Sequence, residues 1–178
     1  MEGASILELI AELAVALLGF SGIVVVIGGR LSDGFSAADR SRFVTMVLFS
    51  ALVVVLALFP FALHHGGLVA DTLWGWSSGV GTATCLFFQL AMRRATTDAT
   101  VRIIWSDASV SKAAIVIGVA SMWISILLLA ANSAGILLER TFTPYLVSVL
   151  LLFGQSLFSF VRLLNTAFRE SAGADPLS

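Results

Sequence analysis

Five stretches of the chain stay apolar for 20 residues or more: 6–29, 43–63, 73–92, 113–137 and 145–164. A helix needs roughly 20 apolar residues to cross about 30 Å of hydrocarbon. The pattern therefore predicts an all-α, polytopic membrane helix bundle of five transmembrane helices. The polar positions fall between them, in 30–42, 64–72, 93–112 and 138–144. None of these is long enough for a soluble domain, so residues 1–178 read as one transmembrane domain. Ser36-Ala-Ala-Asp39 has the form of a capping box leading into the second span. Pro60 lies close to the end of that span, where a kink or stop is least costly.

Composition turns this pattern into a statement about solvent. The chain is 58% hydrophobic and 12% charged, with mean hydropathy +1.01. A soluble domain of this size has too little interior to hide that much apolar surface. The lipid bilayer is the expected partner for most of the chain. A net charge of −1 supplies no field to attract nucleic acid. The one cysteine, Cys85, excludes an intrachain disulfide. The start, Met1-Glu2-Gly3-Ala4-Ser5, lacks the basic segment of a signal peptide, so the first apolar run is expected to be retained.

Orientation follows from the basic residues. Nine of the ten fall in 30–42, in 93–112 and in the tail from Arg162, which share one side in a five-span chain; only Arg140 lies on the other. That bias predicts an outer N-terminus and a cytoplasmic C-terminus. All but one of the basic residues are Arg, which fits a GC-rich bacterial genome, and the expected location is a bacterial inner membrane. The segment Val101-Arg-Ile-Ile-Trp105 is expected to lie in the cytoplasmic interface, with Trp105 at headgroup level.

Polar residues inside the spans recur at helical spacing. Glu8, Glu12, Gly19 and Gly22 share a stripe in the first span, and Gly75, Ser78, Gly79, Thr82, Cys85 and Gln89 share one in the third. Gly118, Ser121, Ser125 and Asn132 mark the fourth; Ser148, Gln155 and Ser159 mark the fifth. Such stripes serve either helix packing, through small residues and interhelical hydrogen bonds, or a water-lined path. Gly19, Gly22, Gly75 and Gly79 read as packing positions. The second span is large and apolar apart from Thr45 and Ser50, and is expected to be the most lipid-exposed.

The topology brings Glu8, Glu12, His64, His65, Asp71, Asn132, Glu139 and Arg140 to the outer side. A carboxylate as deep as Glu12 is costly in hydrocarbon and calls for protein, water or an ion beside it. Repeated around an oligomer axis, Glu12 and Glu8 would form an acidic ring that selects cations, with Gln89 and Asn132 as further lining groups. The plainer alternatives are pairing of Glu12 with Arg140 and snorkelling of Glu8 into the headgroups. His64 and His65 could ligate a metal or sense pH with these carboxylates. Adjacent histidines point apart, however, and Gly66-Gly67 marks an ordinary turn.

No motif supplies a nucleophile with a base, a phosphate loop or a metal-binding carboxylate set, so no enzyme and no cofactor is expected. The reading is a homo-oligomeric integral membrane protein that passes ions or small solutes through a channel with an acidic outer mouth. Its alternative is a non-conducting structural or accessory subunit with a partner in a larger membrane complex.

Overall fold

The computed structural model describes residues 3–31, 37–95, 112–136 and 140–173. Five helices account for nearly all of them: α1 (Ala4–Leu31), α2 (Ala37–His65), α3 (Ala70–Ala95), α4 (Lys112–Ala134) and α5 (Phe142–Gly173). The expected all-α class holds. The cap at Ser36, the Trp105 segment and Glu139 lie outside the described residues.

Two glycines in the left-handed region end helices at the same end of the bundle. Gly67 (φ 90°) follows α2, with hydrogen bonds from Gly67 N–H to the His64 carbonyl and from Leu68 N–H to that of Leu63. Gly135 (φ 69°) follows α4 with the same pair, Gly135 to Asn132 and Ile136 to Ala131. These nested bonds satisfy carbonyls that a helix end would leave bare, and glycine reaches that backbone conformation without a Cβ clash. Pro144 stands in the first turn of α5, where its missing N–H costs nothing.

The helices alternate in direction. Ser50 of α2 meets Ser156 of α5, while Tyr145 at the start of α5 meets Leu56 late in α2. Gly79 of α3 faces Ser133 of α4, and Ser125 of α4 faces Ser148 of α5. At the beginning of the chain, a β-carbon on Gly3 would run into the Phe142 ring, so α1 and α5 start together. α5 touches all four other helices, and α2 packs against α1, α3 and α5.

One apolar core draws on every helix, from Leu7 and Ala14 through Val53, Leu56, Trp74, Met122 and Leu129 to Tyr145 and Leu152. Outside it, Phe20, Val55, Phe87, Ile117, Leu127 and Val161 are exposed. A soluble protein rarely leaves apolar surface this continuous facing water. Facing lipid, it is the expected outer coat of an integral membrane protein.

The five expected helices are present, and one expectation about them changes. By length and apolarity four helices qualify as spans: α1, α2, α4 and α5. α3 is long enough at 26 residues, but Gly, Ser and Thr along Gly75–Thr84, with Gln89, lower its hydropathy. These residues serve contacts within the bundle instead of lipid. The second span is not the most lipid-exposed: 44% of it is buried, against 33% in each of the other three. Its large apolar residues are core because α2 lies between α1 and α5, a neighbourhood its own composition cannot reveal.

Candidate functional site

The polar stripes of α3, α4 and α5 meet one another inside the bundle. Asn132 is the fullest case. Its Nδ2 donates to Ser78 Oγ at 2.7 Å and to the Thr141 carbonyl at 3.1 Å, while its Oδ1 accepts from Thr141 N–H at 3.1 Å. One buried amide thereby ties α3, the end of α4 and the start of α5. Ser125 Oγ donates to the Ser148 carbonyl at 3.3 Å, and Ser148 Oγ returns a bond to the Ser125 carbonyl at 3.4 Å. Ser156 Oγ donates to the Met46 carbonyl at 3.2 Å, which leaves Ser50 as the donor in the Ser50–Ser156 contact. Gly118 is buried where Gln155 crosses it: a β-carbon there would come 2.5 Å from Gln155 Nε2. Packing through small residues and hydroxyls explains these stripes.

The expected lining groups are therefore not gathered. Asn132 is buried and hydrogen-bonded on both sides of its amide. Gln89 is half-buried, 11 residues beyond Ser78 and so about 16 Å further along α3. Glu8 and Glu12 are exposed on α1.

α1 divides along its length. Leu7, Ile10, Ala11, Ala14 and Leu17 are buried against the bundle. On the outer side Glu8, Glu12, Val15, Gly19 and Gly22 are exposed, spaced alternately four and three apart. A β-carbon at Gly19 or Gly22 would meet nothing within 4 Å. Among the described residues the two glycines thus make no packing contact within the subunit. Gly79 does, with Ser133 Oγ 3.0 Å from its β-carbon position.

Gly75 has a different role from the helix packing expected of it. The Arg140 side chain lies across it, with Cδ 2.8 Å and Nε 3.3 Å from where a β-carbon would be. Arg140 therefore sits on α3, not beside Glu12. Here α3 and α4 leave an open groove of about 490 Å³. Gly75, Gly79 and Ala83 line it as one stripe, with Trp76 and Val80 beside them and Ser133 and Arg140 as its polar groups.

His64 and His65 are exposed at the end of α2, their rings 6.2 Å apart and nearly perpendicular. His65 Nδ1 is 2.8 Å from the Phe61 carbonyl. Among the described residues no group of three or more His, Cys, Asp or Glu comes together, so neither histidine joins Glu8 and Glu12 in a metal-sized cluster.

Sequence reasoning passed over Tyr145 and Trp74. Tyr145 is buried, donates to the Leu56 carbonyl, and stacks at a tilt on Trp74, 5.6 Å between centroids; Phe142 lies 5.0 Å from the same indole. Aromatic residues near span ends read as interfacial anchors, and nothing local distinguishes these inward-facing rings. No family model, no curated protein and no solved structure matches this chain.

Proposed function

We propose that the protein is a subunit of a homo-oligomer in a bacterial inner membrane, N-terminus outside, with α1 as the face through which copies associate. The observation that carries this reading is the outer stripe of α1. Two carboxylates and two uncovered glycines stand there on a helix flanked by exposed Leu13, Phe20 and Ile23. Glu12 lies about 12 Å along α1 from its first residue. A carboxylate at that depth facing only lipid is costly. Covering the stripe with a second α1 removes the cost, and glycines permit the close approach.

Copies arranged about an axis would bring Glu12 and Glu8 into a ring, and cations or small polar solutes would pass between subunits along it. No path is assigned within one subunit, and no catalytic step is assigned to the chain. The second reading, a non-conducting accessory subunit, is favoured by the closed hydrogen bonding of Asn132 and of Ser50, Ser125, Ser148 and Ser156.

Flux through liposomes carrying wild type or Glu12→Gln protein separates them. A change of ion preference with assembly intact supports the path past Glu12. Flux indifferent to the substitution removes Glu12 from it. The absence of flux over a range of voltage and pH leaves the accessory reading.

A further inference from the structure

The groove between α3 and α4 has opposite chemical characters at its two ends. Arg140 crosses Gly75 at the mouth, and Ser133 follows one turn deeper against Gly79. Beyond them the walls are Val80 and Ala83, with no polar side chain. Trp76, 63% exposed, flanks the groove near the mouth. A cation at one end, an apolar channel at the other and an indole at the junction match an amphiphile lying along the helix axis.

Among the described residues Arg140 is also the one basic side chain that helix alternation leaves at this end. Among the described residues no hydrogen bond or ion pair occupies its guanidinium, which is exposed. A guanidinium presents a planar fork of donors suited to phosphate oxygens. Gly75, Gly79 and Ala83 keep the stripe beneath it nearly free of side chain for about 12 Å of helix. That leaves length for part of one acyl chain, and the Arg140 guanidinium at the mouth favours an anionic headgroup over a second apolar helix.

We propose that this groove is a phospholipid site, with the lipid phosphate on Arg140 and Ser133 and one acyl chain along Gly79, Val80 and Ala83. The charge that selects the ligand comes from the connection between α4 and α5, and the apolar trough that takes its tail from α3. The site is therefore complete in a single folded subunit and separate from the α1 face.

The test is native mass spectrometry of the intact protein in mild detergent, titrated with phosphatidylglycerol, with diacylglycerol of the same chains, and with inorganic phosphate. Wild type is expected to retain phosphatidylglycerol and not diacylglycerol, and free phosphate is expected not to displace it. Arg140→Gln should weaken phosphatidylglycerol binding by about tenfold or more, the scale of a charge-assisted hydrogen bond lost. Ala83→Leu, at an exposed position, should weaken it by filling the trough without touching the charge. Circular dichroism should show both variants folded. Equal binding by wild type and Arg140→Gln, or full displacement by phosphate, would overturn the site. So would oxidant-driven disulfide cross-linking of Ala83→Cys to the same residue of a second copy, undiminished by added phosphatidylglycerol.

Discussion

Tyr145 completes a hydrogen bond that Pro60 breaks. Residue 60 of α2 would ordinarily donate its N–H to the carbonyl of Leu56, four residues earlier, and proline has none. The Tyr145 hydroxyl, arriving from the first turn of α5, donates to that carbonyl instead. Both side chains are fully buried, so the carbonyl has no access to water. The proline that looked like a tolerated stop near a helix end is a socket for the helix that touches every other one.

Tyr145→Phe should therefore lower stability by about 1–3 kcal/mol, the cost of a buried acceptor left alone. Pro60→Ala restores a backbone donor, so the same Tyr145→Phe change should cost distinctly less in that background. A double-mutant cycle by denaturant titration in detergent measures the coupling. Additive effects would show that the two residues act independently.

Asn132→Ala removes partners from Ser78 Oγ and from the N–H and carbonyl of Thr141 at once. A loss of about 2–4 kcal/mol is expected from several polar groups left unsatisfied together. The thermal midpoint in detergent should fall, whereas ion preference of any residual flux should not change. A shift in preference would return Asn132 to a conducting path.

Glycine substitutions should sort by location. Gly19→Leu and Gly22→Leu add side chains where nothing lies within 4 Å, so folding of the subunit should be unaffected and association should weaken. Gly118→Leu collides with Gln155 and should cost about 1–3 kcal/mol or more through overpacking. Size-exclusion with light scattering reads the first effect and unfolding reads the second. Unchanged oligomer mass in both α1 variants would remove α1 as the assembly face.

Ser50→Ala should be milder. It removes the donor to Ser156 Oγ but leaves Ser156 bonded to the Met46 carbonyl. A loss of about 0.5–1 kcal/mol is expected, in line with single hydrogen bonds between membrane helices. Ser156→Ala should cost more, since it unties both.

Much of the architecture was legible before any coordinate. Hydrophobic runs mark all five helices because each run is long, local and bounded by charge. Gly66-Gly67 after α2 was visible as a turn, and Ser125, Ser148 and Gln155 as stripes, whereas Gly135 lay hidden inside the run 113–137. The partner of each stripe was not legible. Gln155 meets Gly118 and Ser78 meets Asn132 across 37 and 54 positions of chain, and no local spacing encodes such a pairing. Arg140 looked like a partner for Glu12 because the topology placed both at one end. Which helix it lies across depends on the lateral order of the helices.

The sequence by itself determined the solvent, the helical class and the number of long helices, since these follow from how much apolar surface the chain carries and how it is spaced. Only the tertiary structure decided which faces are covered: α2 as core, Asn132 as a knot between three helices, Glu12 on an open side. The physical reason lies in the solvent. Where lipid is as apolar as the interior, an apolar residue is equally at home inside or out, and helix neighbours are chosen by close packing and hydrogen bonds that exist only after assembly.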